Sequence, residues 1–378
     1  MMEKRDLFVF AGQSNMMGAA VFPPKKSITV TDSYEYKHKP RRLGANRGEF
    51  VAAGYPCGEF SYADEIFSTA YSPENTDKDG ASKLVNYSGS TWFCPAMCNL
   101  QDEATHAQYS FDYFSEATFI PGPSMAPMFA EEWEKRGHKC AYAHIAKGAV
   151  PAVHYFNSDM FDEYNQKIAE YNKKYGTNFA GIGEKKAMWL GASAYFDQKV
   201  KDFFADAEER FAGDDMTSKV LVWCQGENEC TKPKAIYKTR LEILWKHMKE
   251  LGFTHFFCVR IGNWPIRSGT SMVHEVMQAQ EEFCAENESC YIITRAMSHM
   301  PCRGVDADDW FVEKPDDEYM NCRDSWFGFG NHHINEKGFS IVAERIADNA
   351  VRVLCEGKEP LLEKEIVSKL AKLAKTEK

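Results

Sequence analysis

The stretch Phe8-Val9-Phe10-Ala11-Gly12-Gln13-Ser14-Asn15-Met16-Met17-Gly18, close to the N-terminus, decides the fold of this chain. An apolar run leads directly into a glycine, three polar residues and a second glycine, which is typical of a buried strand that ends in a tight turn. Ser14 would then stand at the carboxyl end of the strand, where open α/β sheets bind ligands. The alternative is an ordinary strand-to-helix loop with a serine N-cap. Because Gln13 has no turn propensity to explain it, we favour a polar cluster built around the serine.

Length and composition indicate a folded protein rather than a disordered one. The chain has 378 residues, 44% of them hydrophobic, and a formal net charge of -10. It can therefore bury a large core as one domain or two. The negative charge, and the absence of a Lys/Arg-rich cluster beside aromatic residues, argue against nucleic acid as a partner.

The N-terminus, residues 1–6, is charged, and the apolar run that follows it is too short for a signal peptide or a membrane span. We therefore expect a soluble, cytoplasmic protein with no membrane partner. A leader removed from a longer precursor is the alternative.

The sequence contains twelve cysteines and no pair with the CxxC spacing. Cys94 and Cys98 are the closest pair, and a zinc site there would need further ligands such as His106. We favour free thiols in the core over this site. A disulfide framework is also unexpected in so large a chain without a leader.

Residues 19–120 show little periodicity and many turn residues, and this length predicts a functional insertion after the first strand. Beyond it, segments with strand and helix patterns alternate, which predicts a parallel sheet wrapped on both faces. The predicted strands are Lys139–Ile145, Lys219–Cys224, Phe253–Arg260 and Cys290–Thr294, and the predicted helices lie at about 125–136, 159–175, 185–211, 234–251, 271–286 and 335–355.

The tail from Pro360 onward is amphipathic and rich in lysine, which predicts a helix packed on the protein surface rather than a membrane anchor. We therefore divide the chain into a single domain, residues 1–355, and a C-terminal amphipathic helix within residues 356–378.

Polar residues that would pack poorly in a core follow three of the predicted strands. They are Ser14, the turn Lys147-Gly148 and the segment Gln225-Gly226-Glu227-Asn228. The carboxyl ends of parallel strands lie at one edge of the sheet, so these segments should meet there.

A serine hydroxyl needs a base to become a nucleophile, and the segment Asn331–Gly338 before the last helix supplies histidine. Acyl transfer also needs donors for the developing oxyanion, which backbone N–H groups and the Gln225 amide can provide.

Three motifs carry a resemblance to a known family: Gly12-Gln13-Ser14-Asn15-Met16, Trp223-Cys224-Gln225-Gly226-Glu227 and His333-Ile334-Asn335-Glu336-Lys337-Gly338. In this order they resemble the signature motifs of the carbohydrate acetylesterases of the SGNH hydrolase superfamily, the sialate O-acetylesterase-like group. Weaker agreement with the same group is found at Gly122-Pro123, at residues 145–149 and at Met277-Gln278-Ala279-Gln280. The resemblance implies a three-layer α/β/α flavodoxin-like fold with a central parallel sheet. It also implies a serine esterase that hydrolyses O-acetyl esters on a carbohydrate, either sialic acid or a plant or microbial polysaccharide, through an acyl-serine intermediate and without a metal or an organic cofactor.

The same resemblance implies that Ser14 is the nucleophile and His333 the base. It assigns the oxyanion hole to Ser14, Gly148 and Gln225. The polar residues beside them in the motifs are expected to bind the acetylated carbohydrate: Gln13, Asn15 and Asn228.

The family places an aspartate three residues before the histidine, and this position is Gly330 here. A catalytic histidine benefits from a carboxylate that fixes its tautomer. Glu227 and Asp324 are the two candidates for this role, and a backbone carbonyl, which would leave a Ser-His dyad, is the third. Glu227 has a competing role, because it could instead hold the Ser14 turn by hydrogen bonds.

Two other functions remain as alternatives. The first is a carbohydrate-binding protein that kept the fold and lost efficient chemistry together with the aspartate. The second, a lipase or general esterase, is disfavoured because the Gly-x-Ser-x-Gly elbow is absent around Ser14. The sequence leaves open the sugar, the acetylated hydroxyl and the oligomeric state.

Overall fold

The structure, a computed structural model, describes residues 3–18, 28–37, 49–53, 124–146, 150–183, 193–262, 272–300, 317–319, 322 and 333–365. One sheet contains the strands β1 (Arg5–Gly12), β2 (Tyr34–Lys37), β3 (Glu49–Ala52), β4 (Lys139–Ala146), β5 (Lys219–Cys224), β6 (His255–Val259) and β7 (Cys290–Thr294). The described α-helices are α1 (Ser14–Met17), α2 (Met125–Lys135), α3 (Ser158–Tyr175), α4 (Ser193–Arg210), α5 (Lys234–Glu250), α6 (Val273–Glu286), α7 (Ala296–His299) and α8 (Glu336–Leu354). Short 3-10 turns lie at Ala152–Tyr155, Glu227–Glu229 and Asp317–Tyr319.

The strand order in the sheet is β3-β2-β4-β1-β5-β6-β7, and every neighbouring pair is parallel except β2 and β3. Without the β2–β3 pair, the five remaining strands follow the order 2-1-3-4-5 in chain sequence, which is the flavodoxin-like order. In this topology the order reverses between β1 and β5. Ligands of open α/β sheets bind at such a switch point, outside the carboxyl ends of the strands.

Strand β1 lies in the middle of the sheet and is buried on both faces. Leu7, Val9 and Ala11 belong to one hydrophobic core, whereas Phe8 and Phe10 belong to the other. Successive side chains of a strand point to opposite faces, so a strand covered on both sides needs a continuous apolar run. Helices α3, α4, α5 and α6 contribute to the first core, and α2, α7 and α8 to the second. The described residues therefore form three layers, helix, sheet and helix.

The predicted parallel α/β architecture is confirmed, and the strands and helices predicted after residue 124 lie within a few residues of their expected bounds. For α4, residues 185–192 of the predicted helix lie outside the described residues. The structure adds β2 and β3, which fall inside the expected insertion and which the sequence did not predict. Strand β2, Tyr34-Glu35-Tyr36-Lys37, does alternate between aromatic and charged residues, a strand signal that the sequence reasoning overlooked, whereas β3, Glu49-Phe50-Val51-Ala52, has no such alternation.

The segment that follows α8 was predicted to be helical. Residues 357–365 contain no helix. Glu363 instead accepts hydrogen bonds from Thr294 Oγ1 at 2.8 Å and from the backbone N–H of Arg295 at 2.6 Å, so this segment is bound to the end of β7. The remainder of the predicted helix, 366–378, lies outside the described residues.

The eight cysteines in the described part of the chain are free thiols, and seven of them are buried. This agrees with the expected core thiols, whereas Cys94, Cys98 and His106 lie outside the described residues. Of the described helices, none is both long enough and apolar enough to cross a membrane.

Candidate active site

The site begins where β1 ends, at Gly12. This glycine has φ +148°, and a Cβ there would lie 2.0 Å from the carbonyl oxygen of Cys224, so only glycine allows β1 and β5 to come so close. The next residue, Gln13, donates its backbone N–H to the same oxygen at 3.0 Å. The hydroxyl of Tyr155 accepts from the N–H of Gly12 at 2.9 Å and donates to its carbonyl at 2.6 Å. The backbone that leads into Ser14 is therefore held in place from both sides.

Ser14 is the first residue of the four-residue helix α1 and is 5% exposed. The helix is fixed by His144 on β4, whose Nε2–H donates to the carbonyl of Met16 at 2.7 Å. Burial lowers the pKa of His144 to about 4, so its ring is neutral at pH 7. A neutral, buried donor thus supports the short helix that carries the serine.

The end of β5 is held in a similar way. The backbone carbonyl of Gln225 accepts from the Tyr237 hydroxyl at 2.6 Å and from Gln280 Nε2 at 2.9 Å. The following Gly226 has φ +151°, and a Cβ there would lie 2.9 Å from Val276 Cγ1. Helices α5 and α6 therefore determine the direction in which Gln225 and Glu227 leave the sheet.

Gln13 joins the first motif to the second. Its side-chain oxygen Oε1 accepts from Gln225 Nε2 at 3.3 Å and from the backbone N–H of Asn228 at 3.2 Å. Gln225 Nε2 also donates to the carbonyl of Val150 at 3.2 Å. Both N–H groups of the Gln225 amide thus have an acceptor within the protein, which favours a positioning role for this side chain. Its role in the oxyanion hole stays a prediction.

Asn15 joins the first motif to the other two. Its Nδ2 donates to Glu227 Oε1 at 2.6 Å, and its Oδ1 accepts from the backbone N–H of Ile334 at 3.2 Å. These partners are 212 and 319 residues away along the chain. Asn15 is fully buried and Glu227 is 5% exposed. Glu227 therefore makes the hydrogen bond that holds the Ser14 turn, which is one of the two roles expected for it.

His333 lies directly before Ile334, so the Asn15–Ile334 hydrogen bond places it beside the segment that carries Ser14. It is half-buried and lies on the loop that leads into α8. Asn335 caps this helix, since its side-chain Oδ1 accepts from the N–H of Gly338 at 3.1 Å. The structure therefore places His333 on the loop just before the N-cap, as predicted.

The structure brings Gln13, Ser14, Asn15, Gln225, Glu227, Asn228 and His333 to the carboxyl edge of the sheet. Among them Asn228 has an exposed side chain, whereas Gln13 and Asn15 are buried. Gly148, Asp324 and Gly330 lie outside the described residues. Within the described ranges, no group of three or more His, Cys, Asp or Glu side chains could hold a metal ion.

Sequence reasoning missed the residues that support this edge from outside the motifs. Tyr155 and Tyr237 are fully buried, and their hydroxyl groups hold the ends of β1 and β5. The one available signal was the weak agreement of Met277-Gln278-Ala279-Gln280 with the same family, and Gln280 is the residue that holds the Gln225 carbonyl. The hydroxyl groups of the two tyrosines carried no comparable signal.

No protein-family model matches the sequence, and no curated protein matches it. Among the solved structures that match is a protein from Arabidopsis thaliana, with 12% identity and a TM-score of 0.45, over 93% of this chain and 100% of that one. Another is described as a novel carbohydrate acetylesterase from Xanthomonas citri, with 11% identity and a TM-score of 0.44, over 93% of this chain and 57% of that one. Both TM-scores are below 0.5, so neither likeness assigns a family or an activity to this chain.

Proposed function

We propose that this protein is a serine esterase that removes O-acetyl groups from a carbohydrate through an acyl-serine intermediate. The observation that carries the proposal is the pair of hydrogen bonds made by Asn15, to Glu227 and to the backbone of Ile334. Through them the segments that contain Ser14, Gln225 and His333 share one edge of the sheet. A nucleophile, a base and oxyanion donors are the parts that acyl transfer requires.

In the proposed mechanism, His333 takes the proton of the Ser14 hydroxyl while the Ser14 oxygen attacks the carbonyl carbon of the acetyl group. Backbone N–H groups of Ser14 and Gly148, with the Gln225 amide as the third candidate, stabilise the negative oxygen of the tetrahedral intermediate. The protonated His333 then gives its proton to the departing sugar oxygen. Water, activated by the same histidine, hydrolyses the acetyl-serine and releases acetate.

The orienting acid is the part of the proposal with two candidates. Glu227 Oε1 accepts from Asn15, so its carboxylate already holds the Ser14 turn. Asp324 is closer to His333 in sequence and is the rival candidate. A backbone carbonyl that accepts the Nδ1 proton would instead leave a dyad.

The first test replaces the nucleophile. Ser14→Ala should lower turnover of 4-nitrophenyl acetate by at least about a thousandfold, because no other group would form the acyl intermediate. The substitution removes only one hydroxyl oxygen from the first residue of α1, so the free energy of unfolding should change by less than about 1 kcal/mol. His333→Ala should show a loss of similar size, and His332→Ala, as the matched control, a far smaller one.

Labelling with a fluorophosphonate probe separates the esterase from the alternative, a carbohydrate-binding protein without chemistry. The esterase should be labelled at Ser14, and the label should be absent from Ser14→Ala. An unlabelled parent protein that binds sugars would favour the alternative. Parental activity in Ser14→Ala would exclude Ser14 as the nucleophile.

A further inference from the structure

A cavity of about 360 Å³ opens beside the candidate site. It shares two segments with the site. Asn228 lines the cavity and donates its backbone N–H to Gln13 Oε1, one residue from Ser14. Pro151 also lines it and follows Val150, whose carbonyl accepts from the Gln225 amide. Small-molecule pockets in proteins measure roughly 300–1,000 Å³, so this cavity is large enough for a small ligand in continuity with the ester site.

One wall of the cavity is a loop, residues 177–183, that two asparagines of α3 hold in place. Asn172 accepts from the N–H of Phe179 and donates to its carbonyl, both at 2.8 Å. Asn165 accepts from the N–H of Ile182 at 2.7 Å and donates to its carbonyl at 2.9 Å. Both Phe179 and Ile182 line the cavity. The wall is therefore built by specific side-chain hydrogen bonds, which limits its freedom to collapse into the cavity.

Polar groups form another part of the lining. Arg240 and Glu229 make an ion pair, Arg240 also donates to the Tyr164 hydroxyl at 2.8 Å, and all three residues line the cavity. Glu229 in turn accepts from the backbone N–H of Ala152 at 2.8 Å. Only two of the five N–H groups of Arg240 have acceptors among the described residues, although Arg240 is 4% exposed. The cavity thus combines aromatic surface with unused hydrogen-bond donors.

A row of aromatic rings leads from the cavity to the surface. Phe179 lies 5.8 Å from Tyr171 between ring centroids, and Tyr171 lies 4.6 Å from Tyr175. Tyr175, at the end of this row, is 56% exposed, so its ring is open to a ligand in solvent. The C–H faces of sugar rings stack on aromatic rings, while the hydroxyl groups at the ring edge take hydrogen bonds. A polar cavity continued by a row of aromatic rings that ends at the exposed Tyr175 fits a chain of sugar units better than one compact ligand.

We propose that this cavity and the row Phe179-Tyr171-Tyr175 bind the sugar units next to the acetylated one, so that the substrate is an oligosaccharide or polysaccharide chain rather than a free monosaccharide. The proposal rests on the proposed esterase function, since it names the substrate class of that site. The unit beside the acetylated sugar would occupy the cavity, and the next units would lie along the exposed rings.

The test compares chain length. Chemically O-acetylated tetrasaccharides of xylose, mannose and galacturonic acid are each paired with the acetylated monosaccharide, and kcat/KM is measured for both. Each value is divided by the rate of the same variant on 4-nitrophenyl acetate, so that a general loss of activity cancels. For at least one pair, the parent should prefer the tetrasaccharide by tenfold or more.

Two variants should remove this preference by raising KM for the tetrasaccharide. Tyr175→Ala deletes an exposed ring, and Thr231→Trp places a large side chain at an exposed position of the cavity lining. The ratio of tetrasaccharide to monosaccharide should fall to within about threefold of one in each. Leu361→Ala, which also removes an exposed apolar side chain (73% exposed) but lies outside the cavity lining, is the control and should keep the parental ratio. Thermal melting verifies that all three variants fold.

A parent with no preference for any tetrasaccharide, or a preference that survives both variants, would overturn the proposal. Failure of the esterase function has a different signature, because the parent would then hydrolyse none of the substrates. In that case calorimetric titration with the unacetylated tetrasaccharides tests the subsite alone. Binding that Tyr175→Ala abolishes supports the subsite, and absence of binding to the parent rejects it.

Discussion

The amides of Gln13 and Asn15 link the three motifs through single side chains. Each is buried, and each bonds to groups more than 200 residues away in sequence. A buried amide without partners costs about 1–3 kcal/mol, so these contacts specify one arrangement of the loops around Ser14. The sequence predicted a polar cluster around the serine. It also expected both side chains to bind substrate, and their observed partners are internal.

At this scale Glu227 gives a prediction that separates charge from positioning. In Glu227→Gln the side-chain oxygen can still accept from Asn15 Nδ2, so we expect turnover within about tenfold of the parent. Glu227→Ala leaves that buried donor without its acceptor, which should cost about 1–3 kcal/mol of unfolding free energy and most of the activity. Urea denaturation and hydrolysis of 4-nitrophenyl acetate measure the two effects.

Asp324→Asn completes the comparison. A loss of more than about tenfold, or 1.4 kcal/mol, in this variant but not in Glu227→Gln would identify Asp324 as the acid that orients His333. The reverse order would assign that role to Glu227. If neither variant shows this loss, the Ser14–His333 dyad, with a backbone carbonyl that orients the histidine, remains as the interpretation.

At the scale of elements, the site depends on how closely β1 and β5 end beside each other. Gly12 and Cys224 are paired in register, and each strand is followed by a sharp turn. The turn after β5 passes between the side chains of Val276 on α6 and Ile261 after β6, which leave no room for a Cβ at Gly226. The apolar strand patterns predicted both ends, but the close packing around the turns comes from elements that follow later in the chain.

Gly226→Ala tests this packing. Its φ of +151° and the contacts of 2.9 and 3.1 Å should together destabilise the protein by about 3 kcal/mol and lower turnover, because Gln225 and Glu227 would shift. The matched control is Gly213→Ala, which also has positive φ, at +103°, but has no atom within 4 Å of the added Cβ. Equal losses of stability in the two variants would show that the close contact contributes nothing.

At the scale of the whole molecule, the packing of helices and sheet buries titratable groups whose ionisation changes the stability of the fold. Burial lowers the pKa of His144 from 6.5 to about 4. Burial also opposes protonation of His247, but the hydrogen bond and charge of Asp197 outweigh it and raise the pKa of that residue. The two histidines therefore make stability depend on pH in opposite directions.

Between pH 6.5 and about 4 the unfolded chain binds a proton at His144 and the folded chain does not, so acid favours unfolding. The contribution is complete above pH 6.5, and about 3 kcal/mol is lost by pH 4. His144→Gln, which keeps a donor for Met16, should reduce this loss in urea denaturation series. His247→Gln should instead increase the loss of stability on acidification. Protonated His247 stabilises the folded chain at acid pH, and this stabilisation is lost as the pH rises through its raised pKa. An unchanged pH dependence in His144→Gln would contradict the assignment.

The sequence by itself determined the class of fold and most of the order of elements. A continuous apolar run such as Leu7–Ala11 suits a strand buried on both faces, and the helix patterns that alternate with such runs require a parallel sheet. It also determined that Ser14 and Gln225 follow two strands and that His333 precedes the last helix. These positions lie at one edge because the carboxyl ends of all parallel strands are on the same side of the sheet. These are consequences of local periodicity, which each segment carries in its own residues.

Only the tertiary structure decided which groups meet at that edge. The antiparallel pair β2 and β3, the bond of Glu227 to Asn15, the support from Tyr155 and the cavity beside Asn228 all join segments far apart in the chain. A polar side chain or a tyrosine on an apolar helix face has no local pattern that names its partner. The partner is set by how the strands are ordered and how closely their ends pack, which no single segment of the sequence contains.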